Sequence, residues 1–397
     1  MTLLPAMGTP ARERGISLGG DMPARRGAMG SDGAPAPAAA SRLLWRAVLT
    51  GTANADSLDP AVADALRVLA ARLAARCSPG LAASLLAPLT PLLGGPAVDP
   101  AAATSSALLS RLTLAAQLAA LRRMIDAGLH PVVLKGLANA HLLYDPPAPR
   151  VVGDLDVLLK RSEIAAAIDL FAPLGFRFGG VRHTRWGFVS DASYVPFYSP
   201  DGITNIDLHV EADAWPLPLG LSAAEVLDGA VVLTLPGGTI RRPRDEHVLL
   251  ICISNIAKGR FGWQTLSKVI DAARLLTRRG AGLDWGDIAT RAARARLTRT
   301  LDALLALLVV LGLPRSAVRG VVHPPRGIAG RTWGRIVTDW CSVFPGELSG
   351  MELLWRDLTL VQAPATFARF NWWRLKGLVR PVEGVPPEAK ARGLSGG

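Results

Sequence analysis

The chain consists of long stretches with helical periodicity on either side of a central stretch with strand periodicity. In residues 41–127, apolar side chains recur at steps of three and four, most regularly in residues 66–73, which predicts amphipathic helices. The same spacing returns in residues 243–313 and 332–378. Proline and glycine pairs interrupt these stretches, as is typical of the connections between helices. The pattern therefore predicts helical regions on both sides of the centre.

The central stretch carries short apolar runs bounded by turn residues, which is typical of β-strands. Two helices are predicted among them, over residues 137–144 and 162–174. The predicted strands cover residues 131–134, 154–159, 176–178, 187–189, 193–198 and 203–210. We therefore predict an α+β fold, in which a small mixed β-sheet with helices is flanked by N- and C-terminal all-helical regions.

The beginning of the chain has a different composition. It is rich in Gly, Ala and Pro and poor in large apolar side chains, so it buries too little surface to become ordered. The predicted regions are a disordered tail over residues 1–41, an N-terminal helical region over 42–128, the α/β core over 129–242, a C-terminal helical domain over 243–380 and a flexible tail over 381–397.

Composition narrows the class of protein. The chain has 397 residues, half of them hydrophobic, and a formal net charge of +12, which suits a polyanionic partner. The basic residues are scattered, however, and the densest group, in residues 291–299, fits a solvated helix face. This distribution makes nucleic acid an unlikely partner.

Cysteine spacing and hydropathy point to the cytoplasm. The three cysteines, Cys77, Cys252 and Cys341, have no Cys-x-x-Cys spacing, so neither a zinc site nor a disulfide framework is predicted. The longest apolar run, residues 303–313, is shorter than the roughly 20 residues of a bilayer span. No targeting segment is recognised, and we expect a cytoplasmic protein without a membrane span.

Three carboxylates lie in two of the predicted strands. Asp154 and Asp156 occur in Gly-Asp-Leu-Asp-Val-Leu-Leu, and Asp207 occurs in Asn-Ile-Asp-Leu-His. Because alternate side chains of a strand share one face, Asp154 and Asp156 are expected on one face of the strand. Leu155, Val157 and Leu159 are expected on the opposite face, which can enter a core. Hard divalent cations prefer carboxylate oxygens, so three acids on adjacent strands predict a site for two such ions.

A basic turn and two further residues accompany the acids. Lys135 and Gly136 end a strand and begin a helix, whose free amides and positive dipole end suit an anion. Arg150 follows a proline-rich loop and is suited to a forked contact with phosphate. His209 shares the face of Asp207 and either touches a phosphate or metal or is hydrogen-bonded beside the site. Lys258, Arg260 and Lys268 either reach a triphosphate or cover solvated helix faces.

The order of these motifs resembles a known family. Leu-Lys-Gly at 134–136, then Tyr144 and Arg150, then Gly-Asp-Leu-Asp-Val-Leu-Leu at 153–159 and Ile-Asp-Leu-His at 206–209 is similar to the bacterial uncharacterised nucleotidyltransferases of the polymerase-beta-like superfamily. The resemblance covers roughly residues 42–380, and only the motif segments are specific. Lys135-Gly136 stands where the wider superfamily has a Gly-Ser pair.

The resemblance implies an enzyme that moves a nucleoside monophosphate from an NTP to an acceptor hydroxyl and releases pyrophosphate. Asp154 and Asp156 are then expected to bind two metal ions, and Asp207 to complete the ion that activates the acceptor. The expected metal is Mg²⁺, with Mn²⁺ as the alternative. Lys135, Gly136, Arg150 and His209 are the expected nucleotide-binding residues. The expected partners are an NTP and an acceptor that is a small molecule, a peptide or a protein.

Two other functions remain open from the sequence. The first is a catalytically silent protein on the same fold that binds nucleotides or a partner; retention of all three acids argues against it. The second is a nucleic-acid-modifying transferase, which requires a continuous basic groove and binding that depends steeply on salt.

Overall fold

The structure is a computed structural model of the whole chain. Its description here covers residues 36–53, 58–147, 149–150, 152–179, 192–194, 196–236, 238–318, 324–344, 346–360, 363–379, 389–390 and 392–394. Among these residues, none of the helices combines the length and the apolar character that a bilayer crossing requires.

Among the described residues, five helices precede the sheet. They are α1 (Ala36–Thr50), α2 (Pro60–Arg76), α3 (Pro79–Leu86), α4 (Thr90–Leu93) and the long α5 (Pro100–Asp126). Asp59 and Asp99 start α2 and α5 by accepting hydrogen bonds from first-turn amides, each followed by proline at the first helical position. Helix α1 begins at Ala36, so the predicted disordered tail is wrong for residues 36–41. Ala40 and Leu44 are buried, and this burial holds the start of the helix in the core. Residues 1–35 lie outside the described residues, so their disorder stays a prediction.

In the part of the chain that the structure describes, seven strands form one mixed sheet in the order β3-β4-β5-β2-β1-β7-β6. They are β1 (Val132–Val133), β2 (Leu155–Leu158), β3 (Arg177–Phe178), β4 (Phe197–Tyr198), β5 (Asn205–His209), β6 (Val231–Leu235) and β7 (Gly238–Arg242). Strand β2 is parallel to β5 and β1 is parallel to β7, whereas the other neighbours are antiparallel. The predicted mixed sheet with helices is therefore confirmed. The β6–β7 hairpin was not predicted, and the predicted strand 187–189 lies outside the described residues.

Helices α6 (Gly136–Leu143), α7 (Ile164–Phe171) and α8 (Ala223–Asp228) lie between the strands. The described residues after the sheet form seven helices: α9 (Asp245–Lys258), α10 (Leu266–Arg279), α11 (Trp285–Arg294), α12 (Thr298–Val310), α13 (Gly327–Cys341), α14 (Gly350–Leu360) and α15 (Pro364–Val379). Short 3-10 turns occur at Ala87–Leu89, Arg161–Glu163, Ala172–Leu174, Leu217–Leu219, Trp263–Thr265, Gly280–Gly282 and Arg315–Ala317.

Two apolar clusters cover the two faces of the sheet. The larger one joins α1, α2 and α3 to α9–α13 and includes Leu158 of β2. The smaller one packs α5, α6 and α7 against Val157 of β2 and Leu208 of β5. The indole of Trp45 on α1 donates a hydrogen bond of 2.7 Å to the carbonyl of Trp340 on α13. The N- and C-terminal helices thus share one core, and the division of the chain into separate regions stays a prediction.

Candidate active site

Asp156 and Asp207 are aligned opposite each other on the parallel strands β2 and β5. The predicted alternation along β2 is confirmed: Leu155 and Val157 enter the smaller apolar cluster, and Asp156 points to the opposite face. Ile206 follows the same alternation on β5. The sheet register therefore brings together two acids that are far apart in the chain.

His209 completes a compact group with these acids. One ligand atom each of Asp156, Asp207 and His209 lies within 4.8 Å of the others. Asp154 precedes β2, is partly exposed and stands outside this group. Its carboxylate is still close enough to Asp156 for repulsion, which together with burial raises the pKa of Asp154. Two of the three predicted acids thus meet with His209, and Asp154 lies next to them.

Asp156 is the compensated carboxylate of the group. Lys135 Nζ donates to Asp156 Oδ1 at 2.9 Å, and His209 Nε2 lies 3.0 Å from the same oxygen. Burial opposes the charge on Asp156, but the lysine and the histidine outweigh it, so the pKa of Asp156 falls below its usual value. The other ring nitrogen of His209, Nδ1, lies 3.3 Å from the carbonyl of Glu211. The ring is therefore held at both nitrogens and orients Asp156.

Asp207 is the uncompensated carboxylate. Burial and the charges of Asp156 and Asp154 raise the pKa of Asp207 to about 7. Its Oδ1 is buried, and none of the described residues offers it a hydrogen bond. A buried polar atom without a partner costs free energy, which a bound cation would recover. Oxygen donors with this shortage of positive charge fit a divalent ion.

The turn before α6 lies against the acids. Gly136 adopts φ +38°, which side chains rarely allow. A Cβ at this position would lie 3.0 Å from Val152 Cγ1, 3.2 Å from the carbonyl of Asp154 and 3.7 Å from Asp156 Oδ2. Both contacts of Asp156 use Oδ1, so its Oδ2 is the oxygen that faces the start of α6. Only glycine allows the backbone to approach this closely.

Arg150 forms an ion pair that the sequence did not predict. Its Nε and Nη2 donate to the two carboxylate oxygens of Asp271 on α10 at 3.2 and 3.0 Å. Tyr144 and Asn139 donate to the same carboxylate at 2.8 and 3.0 Å. Burial would raise the pKa of Asp271, but Arg150 more than offsets it, and that pKa falls below its usual value. The arginine thus joins the α/β core to α10, and a direct contact with nucleotide stays a prediction.

The C-terminal helices add lysines to the site. Lys258 at the end of α9 forms an ion pair with Asp213, a fully buried acid that also accepts a hydrogen bond of 3.2 Å from Asn255. Lys268 on α10 is partly buried and interacts electrostatically with Asp156. Burial lowers the pKa of both lysines. Neither lysine covers a solvated helix face, which was one of the two interpretations open from the sequence.

Asp213 was missed by the sequence analysis. It follows β5 by four residues in Glu-Ala-Asp-Ala-Trp, a run without a recognisable motif. Its pairing with Lys258 and its interaction with Lys135 depend on the packing of α9 against the sheet. Its position downstream of a strand that already carries Asp207 and His209 was the only available signal.

Comparison with known proteins identifies one family. The family model described as "Uncharacterised nucleotidyltransferase" matches residues 100–311, which include α5, the whole sheet and all of the helices α6 to α12. This match spans more than half of the chain. Comparisons with curated proteins and with solved structures give no match.

Proposed function

Because this chain belongs to the family of uncharacterised nucleotidyltransferases, we propose that it transfers a nucleoside monophosphate from an NTP to an acceptor hydroxyl. The observation that carries the proposal is the alignment of Asp156 with Asp207 beside Lys135. In this reaction the acceptor oxygen bonds to the α-phosphorus, and the bond from that phosphorus to the β-phosphate oxygen breaks. Pyrophosphate leaves, and the acceptor loses its hydroxyl proton. We propose further that the core, residues 129–242, belongs to the polymerase-beta-like superfamily, a proposal that the order of the motifs supports.

The acids would hold the metal. Asp156 Oδ2 is the oxygen that neither Lys135 nor His209 contacts, and Asp207 Oδ1 has no hydrogen-bond partner among the described residues. Asp154 supplies a third carboxylate beside them. An all-oxygen donor set suits Mg²⁺, with Mn²⁺ as the alternative. When bound, such ions stabilise charge on the attacking and leaving oxygens. His209 acts on Asp156 Oδ1 and so orients a ligand of the metal.

Cationic groups would receive the triphosphate. Lys135 and the backbone at Gly136 lie at the start of α6, next to Asp156. Lys258 and Lys268 approach from the C-terminal helices. Phosphoryl transfer depends on such positioning and on charge rather than on a covalent intermediate. We assign Arg150 a supporting part, because its ion pair with Asp271 fixes the helix that carries Lys268.

The acceptor is the part of the proposal that experiment must identify. Purified full-length protein is incubated with Mg²⁺, each NTP and panels of small molecules, peptides and proteins, including the protein itself. Mass spectrometry then records any added nucleoside monophosphate, and a coupled assay records pyrophosphate. We expect one acceptor class to gain the mass of a nucleoside monophosphate, with an equal amount of pyrophosphate released.

The matched variants are Asp156→Asn and Asp207→Asn, with Asp64→Asn as the control on an exposed face of α2. Removal of a major source of transition-state charge stabilisation costs a factor of about a hundred to a thousand in turnover. We expect that loss in both site variants and none in the control. If the wild type binds NTP only with Mg²⁺ but modifies nothing, the silent binding protein replaces the enzyme. If nucleic acid alone is modified, the nucleic-acid-modifying transferase does.

A further inference from the structure

Helix α14 has the reverse of the usual polarity. Its buried side includes Arg356, Asp357 and Thr359, which are 1%, 4% and 5% exposed. Its exposed side carries the apolar residues Met351, Leu354, Trp355 and Leu358. Buried charges are costly unless they are paired and hydrogen-bonded. The inward charges of α14 therefore need specific partners in the structure.

One group of these partners lies in the turn between α9 and α10. Arg356 Nη1 donates to the carbonyls of Arg260 and Phe261 at 3.1 and 3.3 Å. Asp357 Oδ2 accepts a hydrogen bond of 2.9 Å from Arg260 Nε. The indole of Trp340 on α13 also donates to the carbonyl of Phe261, at 2.9 Å. Two neighbouring charged residues of α14 thus hold the same two-residue turn.

The turn has an unfavourable backbone conformation. Arg260 and Phe261 have φ +54° and +55°, in the left-handed region that side chains other than glycine seldom adopt. Phe261 is fully buried. Such a conformation persists only where the surrounding structure enforces it. The bonds from Arg356 and Trp340 to its carbonyls supply that constraint.

The turn separates the two lysines of the candidate site. Lys258 is the last residue of α9, and Lys268 lies in the first turn of α10. Both interact electrostatically with Lys135 and Asp156. The angle at which α10 leaves α9 therefore determines how the two ammonium groups lie relative to the acids.

We infer that Arg356 is a positioning residue for triphosphate binding: through the Arg260–Phe261 turn, it aligns Lys258 and Lys268 on the phosphates. The inference rests on the proposed function. It assigns a part in the site to α14, which lies beyond the residues that match the family.

Arg356 also makes contacts that only hold helices together. These contacts use a different guanidinium nitrogen from the one that contacts the turn. Nη1 contacts the turn, whereas Nη2 forms ion pairs with Asp339 of α13 and, at 2.9 Å, with Glu352 of α14. Glu352→Gln weakens the second set and leaves the carbonyl contacts in place. It is the matched control for Arg356→Met.

The experiment measures two quantities on full-length protein. Calorimetry gives the affinity for Mg²⁺-NTP and for inorganic tripolyphosphate, and hydrogen exchange gives the protection of amides 259–268. In Arg356→Met we expect both affinities to fall at least fivefold and exchange at 259–268 to quicken. Glu352→Gln should remain within twofold of the wild type.

Results other than these would contradict the inference in different ways. Unchanged affinity with faster exchange would show that the turn does not align the lysines. An equal loss in Glu352→Gln would assign the effect to the packing of α13 with α14. If Arg356→Met does not fold, Asp357→Asn removes the neighbouring contact and carries the same expectation. A wild type that binds neither NTP nor tripolyphosphate overturns the proposed function and this inference with it, whereas failure of the variants alone overturns only the inference.

Discussion

Asp156 and Asp207 occupy aligned positions on adjacent parallel strands, yet of the two, within the described residues, Asp156 is the one that Lys135 and His209 contact. Lys135 and His209 both contact Asp156, and the charge on Asp156 in turn raises the pKa of Asp207. Without a bound cation the pair is therefore electrostatically unequal. This inequality makes the metal-free stability of the protein sensitive to Asp207.

Asp207→Asn should stabilise the metal-free protein near pH 8. In the folded chain the pKa of Asp207 is about 7, whereas an aspartate in an unfolded chain titrates near about 3.9. Between about pH 3.9 and about pH 7 the folded state binds a proton at Asp207 that the unfolded state has released. The contribution of this proton to the free energy of unfolding is therefore fully present below the unfolded pKa, about 3.9, and is lost as the pH rises through about 7. A neutral amide avoids that loss.

We expect the free energy of unfolding of Asp207→Asn at pH 8 to exceed that of the wild type by on the order of 1–3 kcal/mol. The gain should vanish near pH 4. Thermal unfolding with a chelator across this pH range measures it, and the exposed Asp64→Asn serves as the control. A melting temperature below that of the wild type at pH 8 would mean that Asp207 is already stabilised as a carboxylate.

Gly136→Ala should damage both folding and nucleotide binding. The new Cβ would lie 3.0 Å from Val152 Cγ1 and 3.2 Å from the carbonyl oxygen of Asp154, and a φ of +38° disfavours alanine further. Gly128→Ala is a matched control, since Gly128 has φ +80° but nothing within 4 Å of the added atom. Backbone strain alone costs about 1–2 kcal/mol. We expect Gly128→Ala to lose that amount in chemical denaturation and to keep its nucleotide affinity, and Gly136→Ala to lose more of both. Equal behaviour of the two variants would leave strain as the whole explanation.

The local sequence pattern predicted the two strands that carry Asp156 and Asp207, because the alternation of side chains along a strand depends only on neighbouring residues. Leu155, Asp156 and Val157 divide between the two faces as expected. The register that places Asp207 opposite Asp156 depends on pairing between distant segments. The same limit explains why the pairing of Arg150 with Asp271, 121 residues later, was not predicted.

Helix α14 illustrates a second limit of sequence patterns. Leu354 and Leu358 lie one helical turn apart on its exposed side, whereas Arg356 and Asp357 are buried. Periodicity shows that a helix has two faces, whereas the partners available in the structure decide which face is buried. Lys258 and Lys268 were ambiguous for the same reason, since the sequence does not show which side of α9 and α10 meets the sheet.

The ion pair of Arg150 and Asp271 should be essential for folding. Both residues are buried, and removing one partner leaves a buried charge, which costs about 3–5 kcal/mol. We expect Asp271→Ala and Arg150→Met each to lose on that order in chemical denaturation. The double variant should lose less than the sum, since no unpaired charge remains. Exactly additive losses would instead show that the two residues act independently.

Lys135→Ala should separate nucleotide binding from metal binding. The ammonium group lies 2.9 Å from Asp156 Oδ1 at the start of α6, where a triphosphate would meet it. A charge-assisted hydrogen bond contributes about 1.5–3 kcal/mol, so NTP affinity should fall roughly tenfold or more. Free Mg²⁺ should bind at least as well as before, because the lysine no longer neutralises Asp156.

Calorimetric titrations with Mg²⁺ alone, and with NTP in saturating Mg²⁺, test this split. Lys160→Ala is the control, because Lys160 is an exposed lysine just after β2, the strand that carries Asp156. The pKa of Asp156 should also rise in Lys135→Ala, since the lysine is the largest of the influences that lower it. Unchanged NTP affinity together with weaker Mg²⁺ binding would show that Lys135 serves only to hold Asp156 in place, and the phosphate site would then have to lie nearer Lys258 and Lys268.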